Sequence, residues 1–201
     1  MRACDHAILA TRERTSMCPP LVKDTYCSFC GAAFATASYP RKCDGCQTTI
    51  WSNPIPVVVV LQPVRKAGRK GLLVVRRGID PRRGRLALVG GFLEAHETYR
   101  EGGAREMREE TGVIVEPSTL RPFWFSSTEP HPTRVLLFVE GDPLDAEDLP
   151  AALVNPETTE RGLVLGPNGL DEIFAFALHA RAAERFFLAH GIEGTSDFTT
   201  V

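Results

Sequence analysis

The sequence has no apolar run near the ~20 residues that a membrane span requires. Its longest, Ile55–Leu61, carries Pro56 and suits a buried strand. It has no excess of either charge. Its 23 basic and 25 acidic side chains leave a net charge of −2, which excludes a polycation that coats nucleic acid or an anionic membrane. The opening stretch, MRACDHAILATRERTS, is too mixed in charge for a secretory signal. Lysine is scarce, 4 residues against 19 arginines, a bias we read as genomic base composition more than function. There is no internal repeat and no low-complexity tract. Of only six cysteines, Cys4 and Cys18 follow no pattern and the other four fall in two pairs. That usage fits a reducing, cytoplasmic compartment with the pairs serving a metal.

What remains is an ordinary globule of 201 residues, 43% apolar and 24% charged. At ~150 residues per domain, that length suggests one domain, or one plus a small module. Residues 1–22 lack periodicity and read as an N-terminal extension, within which Met17 offers an alternative start. Residues 23–52 form a cysteine-bearing module, residues 53–190 the main domain and residues 191–201 a tail. In the main domain, Val57–Leu61 and Leu72–Val75 read as a hairpin across the basic turn Gln62–Gly71. Asp80–Arg85 is a loop, and Leu86–Val89 is a short strand running into Gly90-Gly91. Val113–Val115, Phe123–Ser126, Val135–Val139 and Leu163–Leu165 read as strands. Leu170–Ala189 reads as one long amphipathic helix. Alternating strands and helices predict an α/β or α+β domain.

Cys27-Ser-Phe-Cys30 and Cys43-Asp-Gly-Cys46 are separated by twelve residues. Each CxxC can close a knuckle around one metal. Together they offer the four thiolates of a closed, structural Zn²⁺ site with no open position for water. Two disulfides or a redox CxxC are the competing readings. A module this small cannot bury a core, so the metal would supply its folding energy. Its thin basic content favours a structural or dimer-forming role over nucleic-acid binding.

The richest segment runs from Gly90 to Val113. Thr98 and Glu101 form a capping box, and Gly112 stands where a helix stop belongs. Glu106, Glu109 and Glu110 are spaced i, i+3, i+4 and share one helix face. Three carboxylates there repel one another unless a cation sits among them. Hard oxygen donors of this kind suit Mg²⁺ or Mn²⁺. Gly90-Gly91 allows a sharp turn that brings a backbone carbonyl to the same ion. Arg105 can tie down Glu97 or Glu109. A solvated charged face is the plain alternative. Against it stand Gly102 and Gly103, which cost ~1 kcal/mol each inside a helix unless another element approaches closely.

This segment resembles the Nudix box, G-x5-E-x7-R-E-U-x-E-E-x-G-U with U aliphatic. Gly91, Glu97, Arg105, Glu106, Met107, Glu109, Glu110, Gly112 and Val113 match every defined position across 23 residues. The resemblance covers residues 53–190 and implies an α/β/α sandwich with a mixed β-sheet. It implies hydrolysis of a nucleoside diphosphate linked to another group. By position, Glu106, Glu109, Glu110 and the Gly90 carbonyl would hold Mg²⁺ or Mn²⁺, and Arg105 with Glu97 would brace the loop and helix. Two departures stand out: His96 replaces the glycine that usually precedes the glutamate, and Val89 replaces a proline. A Cys4 ribbon followed by Trp51-Ser-Asn53-Pro54 is similar to NADH pyrophosphatases. Their SQPWxFPxS motif is absent from Ser126–Pro132, so NAD(H), ADP-ribose and FAD all remain candidate substrates.

The family often places one more metal-binding or base glutamate after the box. Glu160 is the first choice here and Glu157 the second. Trp124 could stack a base or pack in the core. Arg76, with Arg77, ends a strand near the expected cleft, where phosphate contact and simple solvation compete. His131 and His179 have no ligand partner at useful spacing. The leading reading is a Mg²⁺- or Mn²⁺-dependent nucleotide pyrophosphatase with a structural zinc ribbon, acting on a small-molecule nucleotide and not on a membrane. A homodimer is expected by resemblance. The rivals are a catalytically silent nucleotide sensor, which would be expected to have lost box glutamates, and a hydrolase of nucleotide-capped RNA.

Overall fold

The computed structural model describes residues 25–35, 38–129, 133–153 and 155–201. The proposed extension 1–22, with Met17, and His131 lie outside them. The chain divides into two compact units, Met1–Asn53 and Pro54–Val201. In the first, strands β1 (Arg41–Lys42) and β2 (Thr49–Ile50) pair antiparallel.

The second unit holds two mixed sheets. One has four strands in the order β7 (Val89–Phe92), β3 (Ile55–Leu61), β9 (Arg134–Glu140), β8 (Arg121–Ser127). β3 runs parallel to β9, and the other neighbours are antiparallel. The other sheet has the order β10 (Leu144–Asp145), β4 (Pro63–Lys66), β5 (Arg69–Arg77), β11 (Thr158–Val164), β12 (Phe198–Thr200), with β6 (Leu86–Ala87) also on β5. The helices are α1 (Tyr99–Thr111), α2 (Leu170–Ile173) and α3 (Ala177–Ala189).

Strand alternation builds the layers. Val58, Val60, Leu73 and Val75 form a core with Met107 of α1. Val59, Leu61, Leu72 and Val74 form a second core with Phe186 and Phe187 of α3. Each fully buried side chain of this size contributes about 1.5–3 kcal/mol. The result is the α/β/α sandwich expected, with sheets between α1 and α3.

Several local expectations need correction. Val57–Leu61 and Leu72–Val75 do not pair with each other. The chain turns at the buried Gln62, whose side-chain amide donates to the Asp142 and Pro63 carbonyls at 2.7 and 3.1 Å. The hairpin is β4–β5, which the polar sequence Arg65–Lys70 disguised. Val113–Val115 forms no strand. Leu170–Ala189 breaks at Phe174–Phe176, because the Ala175 N–H leaves the helix for the Leu86 carbonyl at 2.7 Å. Residues 191–201 are more than a tail, since β12 extends the sheet along β11. Leu86–Val89 changes sheets at Leu88, where its N–H donates to the ring Nδ1 of His179 at 3.2 Å.

Candidate active site

Helix α1 carries the glutamates and is fixed at both ends. The Thr98 hydroxyl accepts from the Glu101 N–H at 3.3 Å, and the Glu101 carboxylate accepts from the Thr98 N–H at 2.7 Å. Gly112 ends the helix at φ 75°, a left-handed conformation that favours glycine. The two mid-helix glycines let other groups come close. A Cβ on Gly103 would lie 2.9 Å from Leu120 and 3.2 Å from Val60, and one on Gly102 would lie 2.5 Å from Leu93. The sequence cost of these glycines therefore permits the helix to seat against β3.

The strand β7 faces the carboxylates. A Cβ on Gly91 would lie 2.2 Å from the Glu106 carboxylate, so this oxygen occupies the space a side chain would fill. The Gly90 N–H donates to Glu110 at 3.3 Å. Arg105 is the hub. Its guanidinium donates to Glu97 at 2.7 and 3.1 Å, to Glu106 at 2.7 Å, to Glu109 at 3.2 Å and to the Phe92 carbonyl at 3.0 Å. Glu97 also accepts from the Glu94 N–H at 2.7 Å, which closes the loop before the helix. His96 in that loop has φ 75°, the reason a glycine suits its position.

Burial and like charge act together on the deeper carboxylates. Burial pushes Glu110 up to about 8, with the neighbouring Glu106 charge adding to it and the Gly90 N–H and Arg77 opposing. Burial also raises Glu106, against the pull of Arg105. Glu109, half-exposed, lies nearer solvent. Buried acidic oxygens in this condition want a proton or a hard cation.

Glu157 joins this group and Glu160 does not. The charge of Glu157 is felt at both Glu106 and Glu110. Asn155 places it: its side-chain oxygen accepts from the Glu157 and Thr158 N–H groups at 2.9 and 2.8 Å, and its amide donates to the Glu109 carbonyl at 3.1 Å. The Glu157 carbonyl accepts from the Gly78 N–H at 2.7 Å. Glu160 points elsewhere, to Arg76 at 2.6 Å and the Thr200 hydroxyl at 3.0 Å. The pairing irregularity between Thr158 and Glu160 separates the two. Glu160 is thus an ion-pair partner within the sheet, while the second choice, Glu157, acts on Glu106 and Glu110 through its charge. Arg76 is likewise committed to Glu160 and to the Gly84 carbonyl.

Trp124 packs in the core rather than at the glutamates. It stacks on Phe138 with centroids 5.0 Å apart, and Arg185 lies 4.8 Å from its ring. Through Phe138 and Val59 it is in register with Gly90, three strand spacings or ~14 Å away.

Sequence reasoning missed Asn155, whose signal was the Asn155-Pro156 turn dipeptide. It also missed Arg161, which nothing in the pattern marked. This buried arginine donates to the Thr111 and Pro150 carbonyls at 2.8 and 2.7 Å and so secures the end of α1.

In the first unit, Cys27, Cys30, Cys43 and Cys46 bring their sulfurs within 4.8 Å of one another. Cys27 and Cys46 stand 3.7 Å apart, Cys30 and Cys43 3.5 Å, and none is in a disulfide. Four thiolates about 2.3 Å from one Zn²⁺ in a tetrahedron would be ~3.8 Å apart, so the donor set fits. The Thr48 hydroxyl and N–H beside Cys46 hold its thiol down at about 6. Backbone N–H groups of Cys30 and Phe29 lower Cys27.

Residues 54–164 match the family model described as NUDIX domain. This chain belongs to that family. The ADP-ribose pyrophosphatase of Methanocaldococcus jannaschii is 38% identical over 65 residues, which are 32% of this chain and 37% of that protein. The NAD-capped RNA hydrolase NudC of Photobacterium profundum is 29% identical over 104 residues, 51% of this chain and 37% of that protein. The chain thus matches little more than a third of the length of these relatives. The crystal structure of a NUDIX hydrolase from Nitrosomonas europaea superimposes with a TM-score of 0.64 at 25% identity, covering 85% of this chain and 96% of that one. Among the described residues, no helix is long and apolar enough to cross a membrane.

Proposed function

We propose that this Nudix chain hydrolyses the pyrophosphate bond of a nucleoside diphosphate linked to another group. An adenine dinucleotide such as NAD(H), ADP-ribose or FAD is the proposed substrate class. The observation that carries this reading is the pair of part-buried carboxylates, Glu106 and Glu110, packed under Gly90-Gly91, with Glu106 braced by Arg105. Buried acids side by side are costly unless a cation belongs among them. Mg²⁺ or Mn²⁺ fits this hard-oxygen set, and Glu106, Glu109, Glu110 and the Gly90 carbonyl would hold it. Bound there, such an ion would neutralise pyrophosphate oxygens and lower the pKa of water. The chain's own residues do the rest. Arg105 holds Glu97, Glu106 and Glu109 in fixed positions. Glu157, delivered by Asn155 beside the trio, supplies a further carboxylate to hold the ion or take a proton from the attacking water. The Cys4 cluster would hold structural Zn²⁺.

Relatives named for ADP-ribose and for NAD-capped RNA support an adenine-containing pyrophosphate. The second of them also favours a reading in which the dinucleotide sits on RNA. A silent sensor is disfavoured by the intact glutamate set. The test is a panel of NADH, NAD⁺, ADP-ribose, FAD, diadenosine polyphosphates and nucleoside triphosphates with Mg²⁺ or Mn²⁺, products resolved by chromatography. AMP from one dinucleotide far above the rest is expected, and lost in Glu109→Gln and Glu110→Gln. Ligand binding with no product over hours would overturn it.

A further inference from the structure

The chain's charge is nearly balanced, yet residues 76–85 carry five arginines and one acid, Asp80. They form the end of β5 and the loop to β6. Among the described residues, only Arg76 of the five makes an ion pair, with Glu160. Three of the others turn to main-chain carbonyls. Arg77 Nε donates to Pro81 at 2.9 Å, Arg83 Nε to Gly78 at 2.5 Å, and Arg85 to Glu172. Arg82 is exposed at the tip with φ 66°. Neutral acceptors fix these side chains without cancelling their charge.

The loop is joined to the glutamate site. The Gly78 N–H holds the Glu157 carbonyl at 2.7 Å, and a Cβ on Gly78 would lie 2.2 Å from the Pro156 carbonyl oxygen. The charge of Arg77 reaches Glu110. A fixed cationic rim therefore borders an acidic centre. The acidic centre and its cation would take the scissile phosphates. The rim, joined to that centre through Gly78 and Glu157, offers its charge to another anion.

We infer that the Arg77–Arg85 loop binds a further phosphate of the substrate, outside the scissile pyrophosphate. This rests on the pyrophosphatase reading above. A phosphomonoester on a ribose of the dinucleotide and the first phosphodiesters of a capped RNA share this chemistry.

The test compares three substrates: an adenine dinucleotide, the same dinucleotide with a ribose 2′-phosphate, and the same dinucleotide at the 5′ end of an RNA of about ten nucleotides. The variants are Arg82→Glu, which leaves the loop's hydrogen bonds in place, and Arg82→Gln/Arg83→Gln. For at least one phosphate-extended substrate, KM rises roughly tenfold in the variants while turnover of the plain dinucleotide stays unchanged. The slope of log affinity against log salt for the RNA falls by about 0.7 for each phosphate that no longer meets an arginine. The substrate that responds identifies the source of the phosphate. An equal loss on all three substrates overturns the inference, as does no loss on either extended one. If wild-type protein cleaves none of them, the pyrophosphatase reading has failed, and the loop is read by binding instead. Fluorescence anisotropy of the labelled RNA, and calorimetry of both dinucleotides, then compare Arg82→Glu with wild type. Weaker binding of an extended ligand alone supports the inference, and indifference overturns it.

Discussion

Arg105 grips Glu97 through two parallel hydrogen bonds, Nη2 to Oε1 at 2.7 Å and Nε to Oε2 at 3.1 Å. The same guanidinium reaches Glu106, Glu109 and the Phe92 carbonyl. One side chain thus joins the loop before α1, the strand β7 and the glutamate face. It also offsets acidic charge where little water reaches, since Arg105 and Glu97 side chains are only 18% and 14% exposed. A lysine at this position carries the charge but not the planar fork. Arg105→Lys is expected to lower kcat by roughly 100-fold through displaced carboxylates. Arg105→Ala, which strands two partly buried acids, is expected to cost about 3 kcal/mol of stability. Urea unfolding alongside steady-state kinetics reads both. Wild-type kcat in the lysine variant would show that the fork has no positioning role.

Much of this arrangement was legible in the sequence. The capping box, Gly112 and the glutamate spacing are local rules, and each appears where the pattern placed it. Even Gly102 and Gly103, costly inside a helix, point to a close approach, which Leu93 and Leu120 make. What could not be read was nonlocal. Gln62 looks like part of a polar turn, but its buried amide sends two valine-rich strands into different sheets. Glu160 looked better placed than Glu157 because the β11–β5 irregularity has no sequence marker. Leu170–Ala189 kept a helical pattern across a break made by the distant Leu86 carbonyl.

His96 holds a left-handed φ of 75° that a side chain resists. That conformation costs an ordinary residue about 1–2 kcal/mol, of which glycine's greater unfolded-state freedom returns part. His96→Gly is expected to raise stability by up to about 1 kcal/mol with kcat unchanged, as read by thermal melting with kinetics. A lower melting temperature would mean the imidazole makes a compensating contribution.

The four cysteine sulfurs are spaced for one tetrahedral ion. Metal analysis of protein purified without added metal is expected to give one Zn²⁺ per chain. Thiol-directed mercurial should release it, with the released metal followed by a chromogenic chelator. Cys43→Ser is expected to lose the metal and the protection of the first unit against protease. Metal-free protein with four titratable thiols and unchanged protease resistance would rule out a structural role for zinc.

Glu157 and Glu160 are three residues apart and are assigned opposite roles by their surroundings. Glu157→Gln is expected to lower kcat by roughly 100-fold or more with little change in stability, because it removes the carboxylate proposed to hold the ion or take the proton. Glu160→Gln breaks a part-exposed ion pair with Arg76, worth about 1 kcal/mol or less, and should leave kcat near wild type. Reversed results would place Glu160 at the reacting centre and return the first-choice reading of the sequence.

His179 of α3 anchors the crossover between the sheets by accepting the Leu88 N–H, a role open only to an unprotonated Nδ1. Burial, aided by the charge of Arg77, depresses its pKa from 6.5 to about 3. The unfolded chain therefore binds a proton below pH 6.5 that the folded chain refuses until about pH 3. Stability present above pH 6.5 is lost as pH falls through that window, by up to ~1.4 kcal/mol per pH unit. His179→Gln keeps a polar side chain at the site but cannot titrate. Carboxylates elsewhere protonate equally in both proteins, so the difference between the two stability curves isolates the histidine. Denaturant melts from pH 7 to pH 4 should show the wild-type advantage shrinking steadily with acid. Parallel curves would mean that His179 takes its proton equally well in the folded state, and that the crossover at Leu88 does not depend on a neutral ring.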